Sequence, residues 1–233
     1  MTAPGRTGAE TALHHHLVDY LGAWPPSEAV EAVGSPRRLE RAWDGAIVLA
    51  VVVTSPVGTV VSVPPSAVEE TRTLLGRIGV PEFGDELAQA VGAPRRASPW
   101  LIVRWSDDPA PLPDVGTWVP RSHPGLPAWL QPFPDPVLAV FDEEGAFLAG
   151  LGIKPHTRTG RELAVGTEEA ARGRRLARRL VAQAARHVLE RGGVPLYVHH
   201  PANAASARVA DAAGFPDLGW RLLVVATPPD GAP

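Results

Sequence analysis

The chain of 233 residues has no cysteine. Disulfides, thiolate catalysis and cysteine-ligated zinc are therefore excluded. Lysine is almost missing as well: Lys154 is the only one, and the remaining basic residues are arginines. Tyrosine occurs twice, at Tyr20 and Tyr197. No apolar run approaches the roughly eighteen residues that a membrane-spanning helix needs. The N-terminus lacks a basic-then-apolar leader, so a cytoplasmic protein is expected. A net charge of −3 gives no reason to expect nucleic acid or an anionic membrane as partner. The chain is instead rich in proline (26 residues) and glycine (23), and 45% of it is apolar. That is enough for a sizeable core, in one large domain or two small ones. The bias toward arginine, proline and glycine is that of a GC-rich bacterial genome.

Read in order, Met1–Glu10 is small and polar and expected to fray. Leu13–Leu21 reads as a short helix. It carries His14, His15 and His16, which point in three directions and cannot share one metal ion. Trp24-Pro25-Pro26 ends it, and Ser27 reads as the cap of a helix over Glu28–Val33. Ala46–Val53 is a buried strand, Pro56 and Gly58 a turn, and Thr59–Val63 the returning strand. Val68–Ile78 and Glu86–Val91 have helical spacing, and Trp100–Trp105 is a strand. The proline-rich Asp107–Pro113 marks a boundary, giving an N-terminal α+β domain over residues 1–110 and a second domain over 111–233. In the second, Val137–Phe141, Phe147–Ile153 and Glu162–Val165 read as three antiparallel strands, with Asp142–Gly145 as a hairpin turn. Trp220–Ala226 reads as the last strand, followed by a loose tail from Thr227.

Most of the chemistry gathers between Glu162 and Phe215. Leu163–Val165 is a short strand, Gly166–Ala171 a turn, and Ala170–Arg191 an amphipathic helix carrying Leu176, Leu180, Val181, Ala184 and Val188 at helical spacing. Gly192 and Gly193 stop it. Leu196 and Val198 mark a second buried strand. Pro201 and Asn203 open a further helix that ends at Gly214. Arg172-Gly173-Arg174-Arg175 stands at the start of the long helix. There the first amides have no internal partner and the dipole is positive. Glycine lets an anion approach the backbone, so the segment can hold a pyrophosphate.

This run resembles the GNAT superfamily of N-acetyltransferases. Its cofactor signature, Arg/Gln-x-x-Gly-x-Gly/Ala, is matched at both ends by Arg172 and Ala177. The fourth position, usually glycine, is Arg175. A second signature, Asn-x-x-Ser before a helix ending in Gly-Phe, is present as Asn203, Ser206, Gly214 and Phe215. The resemblance implies an α/β (α+β) GNAT fold: a mixed, mostly antiparallel sheet with splayed central strands, flanked by helices. Val61-Ser62-Val63 before a helix echoes Ala164-Val165-Gly166. The N-terminal half is then either a degenerate second copy, without a phosphate loop and binding no CoA, or an unrelated cap. Trp118, Trp129 and Phe133, in a region that the resemblance makes into short helices roofing the acceptor, either line that pocket or pack under a loop.

The implied activity is direct transfer of an acyl group from CoA, acetyl-CoA first among donors, to the amine of a small molecule. The implied enzyme is a monomer or homodimer. Alternatives are a non-catalytic acyl-CoA-binding or regulatory module and an O-acyltransferase of a natural-product pathway. By resemblance, the amides of Arg172, Gly173, Arg174, Arg175, Leu176 and Ala177 hold the pyrophosphate. The edge of Ala164 and Val165, with Thr167 beyond it, pairs with pantetheine, and an N–H near Val165 donates to the thioester carbonyl. Asn203, with Ser206, hydrogen-bonds beside the thiol. The tyrosine that serves many relatives as acid is replaced by Ala210. His199, at a strand end, is the candidate acid, since imidazole shuttles protons near neutral pH. Glu162 is the candidate base, with His156 or a water relay as alternatives. Strand alternation from Val165 aims Thr159, Arg161 and Leu163 toward the site and Glu162 away from it.

Overall fold

A computed structural model describes residues 7–77, 83–94 and 96–228. The chain is α+β, with mixed sheet and flanking helices, and it divides into two compact units. One comprises residues 1–13, 104–199 and 203–216; the other comprises 14–103, 200–202 and 217–233. The units therefore do not follow a single cut near residue 110. The stretch from Asp217 onward, read as closing the second domain, groups with the N-terminal unit.

The chain opens with helix α1 (Gly8–Leu21), which starts five residues before the expected Leu13. A reciprocal cap explains this: Thr7 Oγ1 accepts the Glu10 N–H, and Glu10 Oε2 accepts the Thr7 N–H. Of the expected frayed start, residues 1–6 lie outside the described residues.

In the N-terminal unit, β1 (Val30–Gly34) stands where a Ser27-capped helix was expected. Strand pairing overrides the helical preference of Glu and Ala here. Val30–Gly34 runs parallel to Thr59–Val63 over five register pairs. β2 (Val48–Ser55) and β3 (Gly58–Val63) form the expected hairpin. A 3₁₀ turn, Pro65–Ala67, then leads into α2 (Val68–Arg77); Ile78, its expected end, lies outside the described residues. α3 (Gly84–Ala90) follows. β4 (Leu101–Trp105) and β10 (Arg221–Ala226) pair antiparallel through Leu101 and Ile102, and β10 also pairs with β2. Residues 229–233 of the expected tail lie outside the described residues.

In the other unit the strands are β5 (Thr117–Val119), β6 (Val137–Phe141), β7 (Phe147–Pro155), β8 (Gly160–Thr167) and β9 (Val194–His199), in the order β9-β8-β7-β6-β5. β5 to β8 are antiparallel; β8 and β9 are parallel. The region expected to supply short helices gives β5 and a single 3₁₀ turn at Ala128–Leu130. α4 (Leu176–Glu190) buries Leu176, Leu180, Val181, Ala184 and Val188 together with Leu151 and Leu163 of the sheet. Each buried leucine or valine among them contributes about 1.5–3 kcal/mol. α5 (Ala204–Ala212) completes the unit.

The proline-rich stretch after β4 is no loose linker. On α4, Arg179 donates to the carbonyls of Pro113 and Asp114, and Arg186 to those of Ala110 and Leu112. Between them, the Gln183 carboxamide accepts the N–H groups of Val115 and Gly116 and donates to Gly116 O. These three residues are three or four positions apart, so they share one helix face.

Candidate functional site

The site begins where β8 and β9 separate. Their parallel ladder has three register pairs, Gly160↔Val194, Arg161↔Pro195 and Glu162↔Leu196. Beyond Leu196 no further pair forms, and a cleft of about 790 Å³ lies between Val165 on β8 and Tyr197 on β9. Its other walls come from the loop and first turn of α4 and from the start of α5.

α4 starts at Leu176, six residues later than its periodicity suggests. The cause is backbone handedness. Gly173 (φ 79°) and Arg175 (φ 64°, ψ 22°) are left-handed and cannot continue a right-handed helix. Arg175 is the one non-glycine residue with positive φ among the described residues. It holds the conformation that glycine would take freely, a strain found mainly at functional positions. A Cβ at Gly173 would meet nothing within 4 Å, so the backbone faces open space. The opening of α4 thus combines unpartnered amides, the positive end of the helix dipole and the guanidinium groups of Arg172, Arg175 and Arg178. Arg208 joins them from α5, and none of the residues lining the cleft is acidic.

Of the residues picked out as cofactor-binding, Val165, Thr167, Arg172, Gly173, Arg175, Leu176, Ala177, Asn203 and Ser206 line this cleft. Ala164 and Arg174 do not. Ala164 pairs with Gly152 on the row that Glu162 and Gly166 share, opposite the row of Leu163 and Val165. Asn203 acts as the cap of α5, its Oδ1 accepting the Ser206 N–H at 3.0 Å.

The two candidate catalytic residues sit elsewhere. His199 is buried, and its Nε2 accepts the Nε–H of Arg104 at 3.1 Å. Arg104, itself 5% exposed, also donates to Phe215 O at 2.9 Å and to the Asp211 carboxylate. His199 therefore belongs to a network that ties Arg104 to β9 and α5 within one unit, and it does not line the cleft. Glu162 stands at the last position of β8 paired with β9, and its carboxylate receives Lys154 Nζ at 2.6 Å and His156 Nε2 at 2.7 Å. Burial alone would push this carboxyl up. The hydrogen bond and charge of His156, and then Lys154, outweigh it and hold the carboxyl at about 2. A carboxylate so committed is a poor base at neutral pH; it ties β8 to the end of β7, beside the fork.

Tyr197 was passed over in the sequence because it does not occupy the helix position where an acid was sought. It lines the cleft, and its hydroxyl is hydrogen-bonded to Ser206. Burial raises its phenol, opposed by the Ser206 bond and the Arg104 charge. Ala210 is fully buried in the same apolar cluster. The aromatics before β6 separate too. Phe133 is buried over Gly152, and Trp118 lies against the His187 ring at 4.4 Å between centroids. Trp129 stays 38% exposed and lies over Gly166, where a Cβ would come within 2.7 Å of its indole. Among the described residues there is no group of three His, Cys, Asp or Glu that could hold a metal, and no helix is long and apolar enough to cross a membrane.

The pattern of the acetyltransferase (GNAT) family matches residues 100–215, from β4 through α5 to Phe215. Those residues belong to the GNAT family. Among solved structures, the chain is similar to a GNAT-family acetyltransferase from Colwellia psychrerythraea, at 13% identity over 61% of each chain, with a TM-score of 0.44. It is also similar to a putative GNAT-family acetyltransferase from Novosphingobium aromaticivorans, at 20% identity over 57% of this chain and 66% of that one, TM-score 0.44. A GCN5-related N-acetyltransferase-like protein from Streptococcus suis aligns at 17% identity over 61% and 67%, TM-score 0.42. The chain thus spans 61% of the first of these structures. No curated protein matches it.

Proposed function

We propose that the GNAT domain transfers an acyl group, acetyl in the first instance, from acyl-CoA directly to the amine of a small molecule. The observation that carries this reading is the early parting of β8 and β9 beside an arginine-rich, left-handed loop at the start of α4. A pyrophosphate needs free amides and positive charge, and that loop offers both. An extended pantetheine arm needs an unpaired strand edge, and β8 offers one beyond Glu162. The cleft volume lies within the range of small-molecule sites. When bound, acyl-CoA supplies the activated thioester. The chain's part is to orient it along β8, to donate from the backbone near Val165 to the thioester oxygen, and to keep the acyl end against the fork that opens past Glu162. Trp129 is the aromatic left with exposed surface beside Gly166, on the acceptor side of this arrangement.

The second reading, a non-catalytic acyl-CoA-binding module, is favoured by one observation: Ala210 is buried in the core where the resemblance places an acid. Acetyl-CoA at millimolar concentration should raise the melting temperature under both readings, because a ligand of the folded state stabilises it. Absence of any shift removes the CoA site. A thiol-release screen over amines and alcohols then separates the readings. Turnover with amines supports N-acyl transfer, turnover with alcohols alone points to O-acyl transfer, and binding without turnover supports the module.

A further inference from the structure

Breaking a thioester leaves a thiolate, and proton transfer from a positioned group speeds that departure. The residues lining the cleft are apolar, arginine, glycine, asparagine, threonine, serine and one tyrosine. Arginine does not release its proton, and aliphatic hydroxyls are weaker acids than phenol. His199, the sequence candidate, is outside the cleft and holds the Arg104 N–H.

We infer that Tyr197 is the proton donor to the departing CoA thiolate, with Ser206 as its positioning partner. This rests on the acyl-CoA reading of the cleft. Tyr197 is the first residue of β9 past the last pair with β8, so it stands at the apex of the gap that the pantetheine arm enters, lining the cleft with Val165 while 3% exposed. Its ring is held at about 6 Å between centroids from Phe215 and from His199. Burial keeps the phenol protonated, while the Ser206 bond and the Arg104 charge favour the phenolate left after transfer. In the step, the acceptor nitrogen forms a bond to the acyl carbon and the C–S bond breaks with its pair on sulfur. Sulfur takes the Tyr197 Oη proton, the acceptor nitrogen sheds one proton to water as the amide forms, and the phenolate, hydrogen-bonded to Ser206, regains a proton from that water.

The test uses CoA itself as probe, bound to the full chain and titrated by thiolate absorbance. CoA should bind wild type and Tyr197→Phe with Kd values within about threefold. The bound thiol should ionise at a pH about one unit lower in wild type, a roughly tenfold difference in acidity from the lost donor. Equal titration with equal binding takes Tyr197 out of proton transfer and leaves the acyl-CoA site standing. Loss of CoA binding in the variant alone makes Tyr197 a binding group and also overturns the inference. No CoA binding by wild type overturns the site reading and the inference with it. If Tyr197→Phe melts below wild type by more than a few degrees, Ser206→Ala carries the test; it keeps the α5 cap, which uses the Ser206 backbone. A smaller shift in the same direction supports the inference, and none overturns it.

Discussion

Two parts of this chain share a local plan and differ in one respect. In each, an antiparallel hairpin (β2–β3, β7–β8) leads through a 3₁₀ turn (Pro65–Ala67, Glu169–Ala171) into a helix (α2, α4). In each, the second hairpin strand has a parallel neighbour, β1 for β3 and β9 for β8. The β1–β3 ladder has five pairs and covers β3 through Val63. The β8–β9 ladder stops after three and leaves the β9-side edge of Leu163–Thr167 unpaired. The route into the helix differs in step with this. Pro64-Pro65 runs directly into the 3₁₀ turn and α2, and neither proline offers an amide. Between the 3₁₀ turn and α4, the chain inserts Arg172–Arg175 with two left-handed residues. The shared scaffold therefore says little about ligands; the capacity to bind lies in an unfinished ladder and a loop that delays the helix. Whether the N-terminal part descends from a copy is a proposal that this likeness motivates.

The largest expected effect comes from closing the loop to anions. Gly173→Asp puts a side chain on a left-handed backbone and a negative charge beside the α4 amides. Acetyl-CoA affinity should fall about 100-fold or more by calorimetry, roughly 2.7 kcal/mol. A change under threefold would make the two routes into the helix equivalent after all.

Next is the ion-pair cluster beside the fork. Glu162 has its carboxyl lowered from 4.5 to about 2 in the folded chain. The fold favours the ionised form, so this contribution is complete above pH 4.5 and disappears as pH falls toward 2. Glu162→Gln should lose on the order of 2 kcal/mol by urea unfolding at pH 7. It should also show a flatter loss of stability than wild type between about pH 4.5 and 2. Parallel curves in that window would contradict the ion-pair assignment.

Arg175→Gly sharpens the comparison from the other side. Relieving the left-handed strain should stabilise the chain by up to about 1 kcal/mol. Losing one exposed charge should weaken acetyl-CoA by no more than about fivefold. The smallest effect is a null one: acetyl-CoA should bind with a stoichiometry of one per chain. Two equivalents would mean that the β3–α2 region binds as well.

How far the sequence led can be judged from particular residues. The apolar periods placed α4 and strands β6 to β8, because burial of one face dominates those segments. Thr7 and Glu10 spelled out the start of α1, but the pair was not read as a cap. Glu28–Val33 failed because Glu and Ala favour helix locally, while five pairs to β3 decide otherwise. In the site, Gly173 and the arginines were legible from charge and backbone freedom. The delayed start of α4 was not, since nothing in its periodicity shows that Arg175 is left-handed. His199 was chosen for its chemistry and its place near the strand end; the partner that removes it, Arg104, lies 95 residues away in sequence. Tyr197 was missed because an acid was sought at Ala210, and only the tertiary fold brings β9 to Ser206.

Hydrogen exchange with and without acetyl-CoA addresses the comparison most directly, since it reads both regions in one sample. The account predicts new protection at the amides of Leu163–Thr167 and Arg172–Ala177, with none at Thr59–Val63. Unchanged exchange at both β8 and the α4 loop in saturating acetyl-CoA, or equal protection at β3, would contradict it.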